Sequence, residues 1–398
     1  MSEDHESPEP LEGLRPDTKA VRAGREGNDT ALAPIIWTST TYVTPSVQEG
    51  REMASAVGPS HFYTRYGNPS IKAFEDAVAA LEGAEAARAF GSGMGAVSGV
   101  VLGLCSSGDH VVTQQQLYAG TQMLFQSVCP RFDIEVSFVD GRVPGAFAAA
   151  VKPGKTVLVF AETPANPRLD IVDLDEIGSI SGPVTAVDST FAPPLIQRPL
   201  THGVDLSLHS ATKIIGGHND ATLGVVSGSR ELLDWIWGYA VLQGANASPY
   251  DATNGLRGIR TLGPRLRQQS DSALRLAEAL AEHPAIEEMC YPGLPSHRGF
   301  ELAKRQMDLP GGLLTFDVAG GLEGGCRFVE SVRVAQLAPS LGGPETLVTH
   351  PASTTHISLL PEELEAAGIK PGTVRVSVGL EDPADIIADF LQALEHVG

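Results

Sequence analysis

Short valine-rich runs alternate with helix-forming stretches through the middle of this chain, and few folds accommodate that rhythm. The runs are His110 to Thr113, Glu135 to Val139, Thr156 to Phe160, Val184 to Val187, Val204 to Leu208 and Leu223 to Ser227. Apolar strands spaced by helices predict a mainly parallel sheet covered on both faces, an α/β architecture. Before the first run, Ile71, Phe74, Val78 and Leu81 recur at three and four residues, which predicts a helix after the turn Gly67-Asn68-Pro69-Ser70, with Ser70 as its N-cap. Near Gly263 the rhythm changes: Arg265 to His283 reads as one long amphipathic helix that opens a region of sparser strands. With 398 residues, 42% of them hydrophobic, the chain can fill a large core and a smaller second one. The expected division is residues 1–65 as an N-terminal tail and arm, 66–262 as a large domain and 263–398 as a C-terminal domain. Ser2 to Pro16, acidic and short of large apolar residues, is expected to be a mobile tail.

Charge removes some classes of function. Lys and Arg number 28 against 48 Asp and Glu, a net charge of −20, which repels a phosphate backbone, so nucleic acid is not an expected partner. The longest apolar stretches, such as Ala96 to Cys105, fall short of the roughly 18 to 20 residues a membrane span requires. Neither a signal peptide nor an anchor is expected. Cys105, Cys129, Cys290 and Cys326 have neither metal-ligand spacing nor the density of a disulfide scaffold, which suits structural thiols in a reducing cytoplasm.

Ligands of such sheets gather at the carboxyl ends of the strands, and five motifs carry polar or small residues there. Phe90-Gly91-Ser92-Gly93-Met94-Gly95-Ala96 puts three glycines before a helix-like run, where backbone N–H groups and the helix dipole can hold a phosphate. The string also matches a relaxed dinucleotide fingerprint, so a nicotinamide oxidoreductase is a rival; that reading wants an acid after the next strand, whereas Asp109 precedes it. A tight turn without ligand is the plain alternative.

Ser207-Leu208-His209-Ser210-Ala211-Thr212-Lys213 places Lys213 just beyond a strand, in a glycine-rich loop. A partly desolvated lysine there is neutral more often and can attack an aldehyde carbon, and Ser210 and Thr212 can offer hydroxyls to a phosphate. Taken alone, a loop lysine is usually solvated and idle. Asp188 follows Val184 to Val187, where a carboxylate can keep a pyridinium nitrogen protonated or simply cap a turn. Tyr118 follows the strand His110 to Thr113 and offers a ring that can stack on a planar group or fill core. In Thr373-Val374-Arg375-Val376-Ser377 the valines alternate, leaving Arg375 and Ser377 on the opposite face, where a guanidinium fork can bind an α-carboxylate or merely meet solvent.

Together these residues resemble the pyridoxal-phosphate enzymes of cysteine and methionine metabolism: cystathionine γ-synthases and lyases, methionine γ-lyases and homoserine-ester sulfhydrylases. The resemblance runs from about Thr18 to the C-terminus. It is most specific in Ser210-Ala211-Thr212-Lys213, Glu162-Thr163-Pro164-Ala165-Asn166-Pro167, Tyr63-Thr64-Arg65-Tyr66-Gly67-Asn68-Pro69 and Thr349-His350-Pro351-Ala352-Ser353.

The resemblance implies a fold type I pyridoxal-phosphate transferase, with residues 66–262 binding the cofactor. It implies that Lys213 carries pyridoxal 5'-phosphate as a Schiff base, that Asp188 pairs with the pyridine nitrogen, that Tyr118 stacks on the ring and that Asn166 lies near its phenolic oxygen. Gly93, Met94, Ser210 and Thr212 would hold the phosphate, together with Tyr63 and Arg65 from a neighbouring subunit. The assembly implied is a homotetramer built as a dimer of dimers. Lys213 would move the substrate protons, Tyr118 would protonate the leaving sulfur, and Arg375 with the Ser340 backbone would hold the carboxylate of an amino-acid substrate.

Members that handle cystathionine commonly carry an acid where this chain has Pro339, so an uncharged thioether such as methionine is the expected substrate. Dedicated bacterial methionine lyases typically have a cysteine where this chain has Gly120, and Ser353-Thr354-Thr355-His356 resembles the sulfhydrylase version, which keeps γ-replacement open.

Overall fold

Each anticipated apolar run forms a strand in the computed structural model, which describes residues 11–28, 30–357 and 359–397. The large sheet contains β1 (Ala86–Phe90), β2 (His110–Gln114), β3 (Glu135–Val139), β4 (Thr156–Glu162), β5 (Val184–Asp188), β6 (Leu206–His209) and β7 (Gly224–Gly228). Its order is β1-β7-β6-β5-β4-β2-β3. The strands from β3 across to β6 are parallel, and β7 runs antiparallel to both β6 and β1. Side chains alternate between two cores, as a two-residue period requires. Val111, Leu158 and Phe160 join one face with Val97, Val100 and Val101 of the helix Gly93–Leu104. Val112, Val159 and Val187 join the other with Phe147, Leu174 and Ile177.

The early helix spans Pro69–Glu82, and its N-cap is Asn68, whose side chain accepts from Ser70 N at 2.9 Å; Pro69 takes the first helical position. Ser70, expected as the cap, serves elsewhere: its hydroxyl donates to Ile35 O at 2.9 Å and accepts from Trp37 N at 2.9 Å, tying down the N-terminal arm. Proline's fixed φ and missing N–H make Pro69 the better first helical residue, which shifts the cap back to Asn68. Of the expected tail Ser2 to Pro16, residues 2–10 lie outside the described residues. Leu11 packs on the core, and Pro16 already opens the helix Pro16–Arg22 with Ala20 buried beneath it.

The second sheet contains β8 (Ile286–Cys290), β9 (Leu313–Val318), β10 (Gln336–Leu337), β11 (Leu347–Thr349) and β12 (Thr373–Ser377), in the order β10-β11-β12-β9-β8. The helix Leu262–Leu280 joins the two layers, with Leu262 and Leu266 in a core of the large sheet and Leu276 and Leu280 in the core of the small one. A buried ion pair crosses the same seam, Arg168 Nη1 donating to Asp317 Oδ1 at 2.8 Å. Among the described residues no helix is long and apolar enough to cross a membrane.

Candidate active site

The carboxyl ends of β4, β5 and β6 open onto a cavity of 290 Å³, where ligands of such sheets are expected. Gly93, Met94, Tyr118, Asn166, Asp188, Ser210, Thr212, Lys213, Ser340 and Arg375 all line it, although they come from segments scattered over most of the chain. Tyr63 and Arg65 do not. Arg65 instead lies over the Tyr66 ring, 4.9 Å from its centroid, and donates to Val241 O at 3.2 Å.

Lys213 sits in a turn after β6 that is closed by its own N–H on Ser210 O at 3.1 Å, and its Nζ donates to Ser340 Oγ at 2.7 Å. Burial, helped by the Arg375 charge, lowers its pKa from 10.5 to about 8, so a substantial neutral fraction exists near neutral pH. Ser340 has φ of +88°, a conformation a side chain seldom adopts. It is held there from both sides, its hydroxyl on Lys213 and its carbonyl on Arg375 Nη2 at 3.0 Å. Gly342, just after it, must be glycine because a Cβ would stand 2.7 Å from Ile214 N.

Asp188 ends β5 directly beside Glu162 at the end of β4, in register. Thr190 fixes the Asp188 carboxylate by donating from N (3.0 Å) and from Oγ1 (2.6 Å) to one oxygen. Burial raises both carboxyl pKa values, and the Asp188 charge raises that of Glu162 further, to about 8. Two buried acids so placed favour a cationic group in the space in front of them.

Glu162 belongs to a motif in which sequence alone assigns it no role, and the structure gives it one. Its Oε2 accepts from Tyr118 N at 2.9 Å and its Oε1 from Asn166 N at 2.8 Å, so one carboxyl group positions both neighbours of the cavity. The signal was present, since Glu162 is the polar residue at the end of an apolar run.

Arg375 is 4% exposed, which removes the solvated-face alternative. Its Nη1 donates to Asn166 Oδ1 at 3.0 Å, leaving the Asn166 amide nitrogen as a donor, while its Nε has no partner among the described residues despite being buried. An orphaned guanidinium nitrogen on a cavity wall is what a carboxylate-bearing ligand would satisfy.

At the opposite end the helix Gly93–Leu104 begins on the cavity wall. Ser92 Oγ caps Gly95 N at 2.9 Å, and the N–H groups of Gly93 and Met94 have no acceptor within the helix. A Cβ at Gly93 would stand 2.6 Å from Ser210 Cβ, so only glycine leaves this cradle open. Ser210 N donates to Thr190 Oγ1 at 2.8 Å. Thr212 lines the cavity, but its hydroxyl is already paired with Leu223, donating to O at 3.1 Å and accepting from N at 2.8 Å. The dinucleotide reading wants an acid at the end of β2, where Gln114 stands, and Asp109 lies before that strand, its Oδ2 accepting from Ser106 N at 2.6 Å in the turn. An anion cradle, paired acids, a depressed lysine and an unsatisfied guanidinium thus share one cavity, and that set fits a phosphate-bearing pyridine aldehyde with an amino acid beside it.

The chain matches the model of the Cys/Met metabolism PLP-dependent enzymes over residues 17–395. It belongs to that family. An L-methionine gamma-lyase from Fusobacterium nucleatum subsp. polymorphum is 42% identical over 388 residues, 96% of this chain and 98% of the relative. An O-succinylhomoserine sulfhydrylase from Pseudomonas aeruginosa is 40% identical over 388 residues, 96% of each chain. A cystathionine gamma synthase from Xanthomonas oryzae pv. oryzae, solved in complex with cystathionine, superposes with a TM-score of 0.90 at 35% identity, covering 96% of this chain and 98% of that one. The fold is therefore the type I fold of pyridoxal-phosphate enzymes, the cofactor is pyridoxal phosphate, and the protein is an enzyme of sulfur amino-acid chemistry.

Proposed function

We propose that this trans-sulfuration-family enzyme eliminates the γ-substituent of methionine, giving methanethiol, 2-oxobutanoate and ammonia. The observation that carries the reading is Pro339: among the described residues, the cavity's charged side chains are Glu162, Asp188, Lys213 and Arg375, and Pro339, with Leu341, Phe191 and Thr355, adds uncharged wall that we read as facing the far end of a substrate. A zwitterionic distal group, as in cystathionine, would be desolvated there without a partner, whereas a methyl thioether would not.

The amine of Lys213 would carry the cofactor, and in its neutral form would take the proton from the substrate Cα and shuttle it. Bound in this cavity, pyridoxal phosphate would supply the electron sink that stabilises negative charge on the substrate carbons. Asp188 would face its ring nitrogen, Asn166 its phenolic oxygen, and Gly93, Met94 and Ser210 its phosphate, with Thr212 joining them once its hydroxyl turns from Leu223 O. Tyr118, half exposed at the mouth and fixed through its backbone by Glu162, would stack on the ring and protonate the departing sulfur. Arg375, with the strained Ser340 turn, would hold the α-carboxylate.

Tyr63 and Arg65, outside the cavity of their own chain, would complete the phosphate site of a second subunit, in a cytoplasmic homotetramer of two such dimers. We read residues 66–262 as a cofactor domain and 263–398 as a C-terminal domain, a division supported by the end of the large sheet at Gly228 and the start of the small one at Ile286.

A cysteine at position 120 would set its Cβ 2.6 Å from Tyr118 Cε1 as that ring stands, so Gly120 gives the Tyr118 ring a seat of its own. Thr355 on the wall favours a second reading, γ-replacement on an acylated homoserine, in which its hydroxyl, now 2.9 Å from His356 Nδ1, would turn to an ester oxygen. Incubation with methionine and assay of 2-oxobutanoate and methanethiol tests the first reading. Absence of both products, alongside turnover of an acylated homoserine with a thiol or of cystathionine, would overturn it.

A further inference from the structure

Behind Asp188, on the side away from the cavity, lies a buried pair that the chemistry above does not use. Glu82 is fully buried (0% exposed) and is the last residue of the helix Pro69–Glu82; His209, 1% exposed, ends β6. Glu82 Oε1 meets His209 Nε2 in a short contact, and Ser207 Oγ donates to the same oxygen at 2.9 Å. The other oxygen, Oε2, has no partner among the described residues. A carboxyl group at a helix C-terminus opposes the helix dipole, and burying it half satisfied costs free energy as well. Core packing alone gives no reason to keep it, since an apolar side chain would fill the same volume without that cost.

The other end of the imidazole touches the active site. His209 Nδ1 lies 3.1 Å from Ser189 O, and because a carbonyl only accepts, Nδ1 is the donor. Around this bond, residues 188–190 are laced to residues 208–210. Ser189 N donates to Leu208 O at 2.8 Å, Ser210 N to Thr190 Oγ1 at 2.8 Å, and Thr190 Oγ1 to Asp188 Oδ1 at 2.6 Å. Fixing the imidazole therefore fixes the backbone that carries Asp188 on one strand and Ser210 on the next. Electrostatics at Asp188 act in the same direction: burial raises its pKa, while the Thr190 bonds and the nearby His209 ring lower it.

We propose that Glu82 and His209 form a positioning pair that orients Asp188 and keeps its carboxylate directed at the cofactor's ring nitrogen. This rests on the assignment of Asp188 to that nitrogen. The pair touches no substrate. It acts through Ser189 and through its field, as the partner behind a metal-bound histidine orients the ligand in front of it.

The test measures equilibrium binding of two ligands to apoenzyme prepared from holoenzyme: pyridoxal phosphate and its 1-deaza analogue, in which carbon replaces the ring nitrogen. Glu82→Gln keeps the shape of the side chain, and His209→Asn keeps a donor towards Ser189 while disconnecting Glu82. Both variants should bind pyridoxal phosphate about tenfold more weakly and the deaza analogue as well as wild type does. Equal losses for the two ligands would mean a purely structural pair, and no loss for either would mean an idle one; each result overturns the proposal. Asp188→Asn is run in parallel. If that variant also loses both ligands equally, the assignment of Asp188 to the ring nitrogen has failed; if it discriminates and the pair variants do not, only the positioning role has failed. Should Glu82→Gln not fold, His209→Asn alone carries the comparison.

Discussion

Replacing Gly93 by alanine isolates the phosphate cradle from everything else in the site. The added Cβ would lie 2.6 Å from Ser210 Cβ and 2.7 Å from Ser210 Oγ, against an optimal carbon–carbon separation of roughly 3.5 to 4.0 Å. About 1 Å must be found by moving Ser210 or the start of the helix, and inserting a methyl into a tight site typically costs about 1–3 kcal/mol. In the empty apoenzyme part of this relaxes, and alanine in place of glycine returns up to about 1 kcal/mol of helix propensity, so the thermal midpoint should barely move. With cofactor bound, the phosphate fixes both sides of the gap and the whole penalty returns. Binding loses the part of the penalty that the apoenzyme relaxes, so the expected result is a pyridoxal-phosphate dissociation constant several-fold higher, with about 150-fold as the ceiling set by about 3 kcal/mol at tenfold per 1.4 kcal/mol. Equilibrium dialysis of reconstituted apoenzyme reads the affinity, and circular dichroism confirms the fold. Gly95→Ala is the matched control, because its nearest neighbour beyond the helix, Ser92 Oγ, is an ordinary 3.4 Å away. Unchanged affinity in Gly93→Ala, or equal losses in both variants, would refute the reasoning.

Three other perturbations test separate parts of the account. Lys213 titrates at about 8 in the folded apoenzyme instead of 10.5, so between those values the unfolded chain holds more protons and stability must rise with pH; the gain should be complete above pH 10.5 and absent in Lys213→Met, as read by urea titration across the window. Arg375→Lys keeps the charge but loses the fork, which should raise KM for the amino acid by about 10- to 100-fold, the value of a charge-assisted bond or two; an unchanged KM in steady-state assays would remove the residue from the carboxylate site. Asp317→Ala removes one of the two acids beside buried Arg168, leaving Glu288, and should cost about 1.5–3 kcal/mol in denaturant unfolding, the value of a buried hydrogen bond to a charged group; a loss below about 1 kcal/mol would make the pair equivalent to a surface one.

The sequence was informative wherever the period of the strands and the chemistry of their ends coincided. Asp188 and Lys213 stand at or just beyond the ends of apolar runs, so the sheet itself points to them, and Arg375 shares a face with Ser377 because the valines between them alternate. Strand β1 was not anticipated, since Ala86-Ala87-Arg88-Ala89-Phe90 has little strand propensity and becomes a strand by pairing with β7 along its whole length. Sequence alone puts the cap at Ser70 instead of Asn68, because Ser70 is an equally good capping residue until the arm containing Ile35 and Trp37 claims its hydroxyl. Thr212 likewise reads as a free hydroxyl in sequence and is largely spent on Leu223. Least legible was the Glu82–His209 pair: a glutamate closing a helix ordinarily faces water, and only a contact across 127 residues puts it under the site.

The account turns on Lys213 as the residue that carries the cofactor. Borohydride reduction of the holoenzyme fixes the cofactor to whichever amine holds it, and digestion with peptide mass spectrometry then locates it. The predicted result is a single reduced pyridoxyl-phosphate addition on Lys213. Holoenzyme whose addition maps to another lysine, or whose cofactor is not fixed by reduction at all, would contradict it.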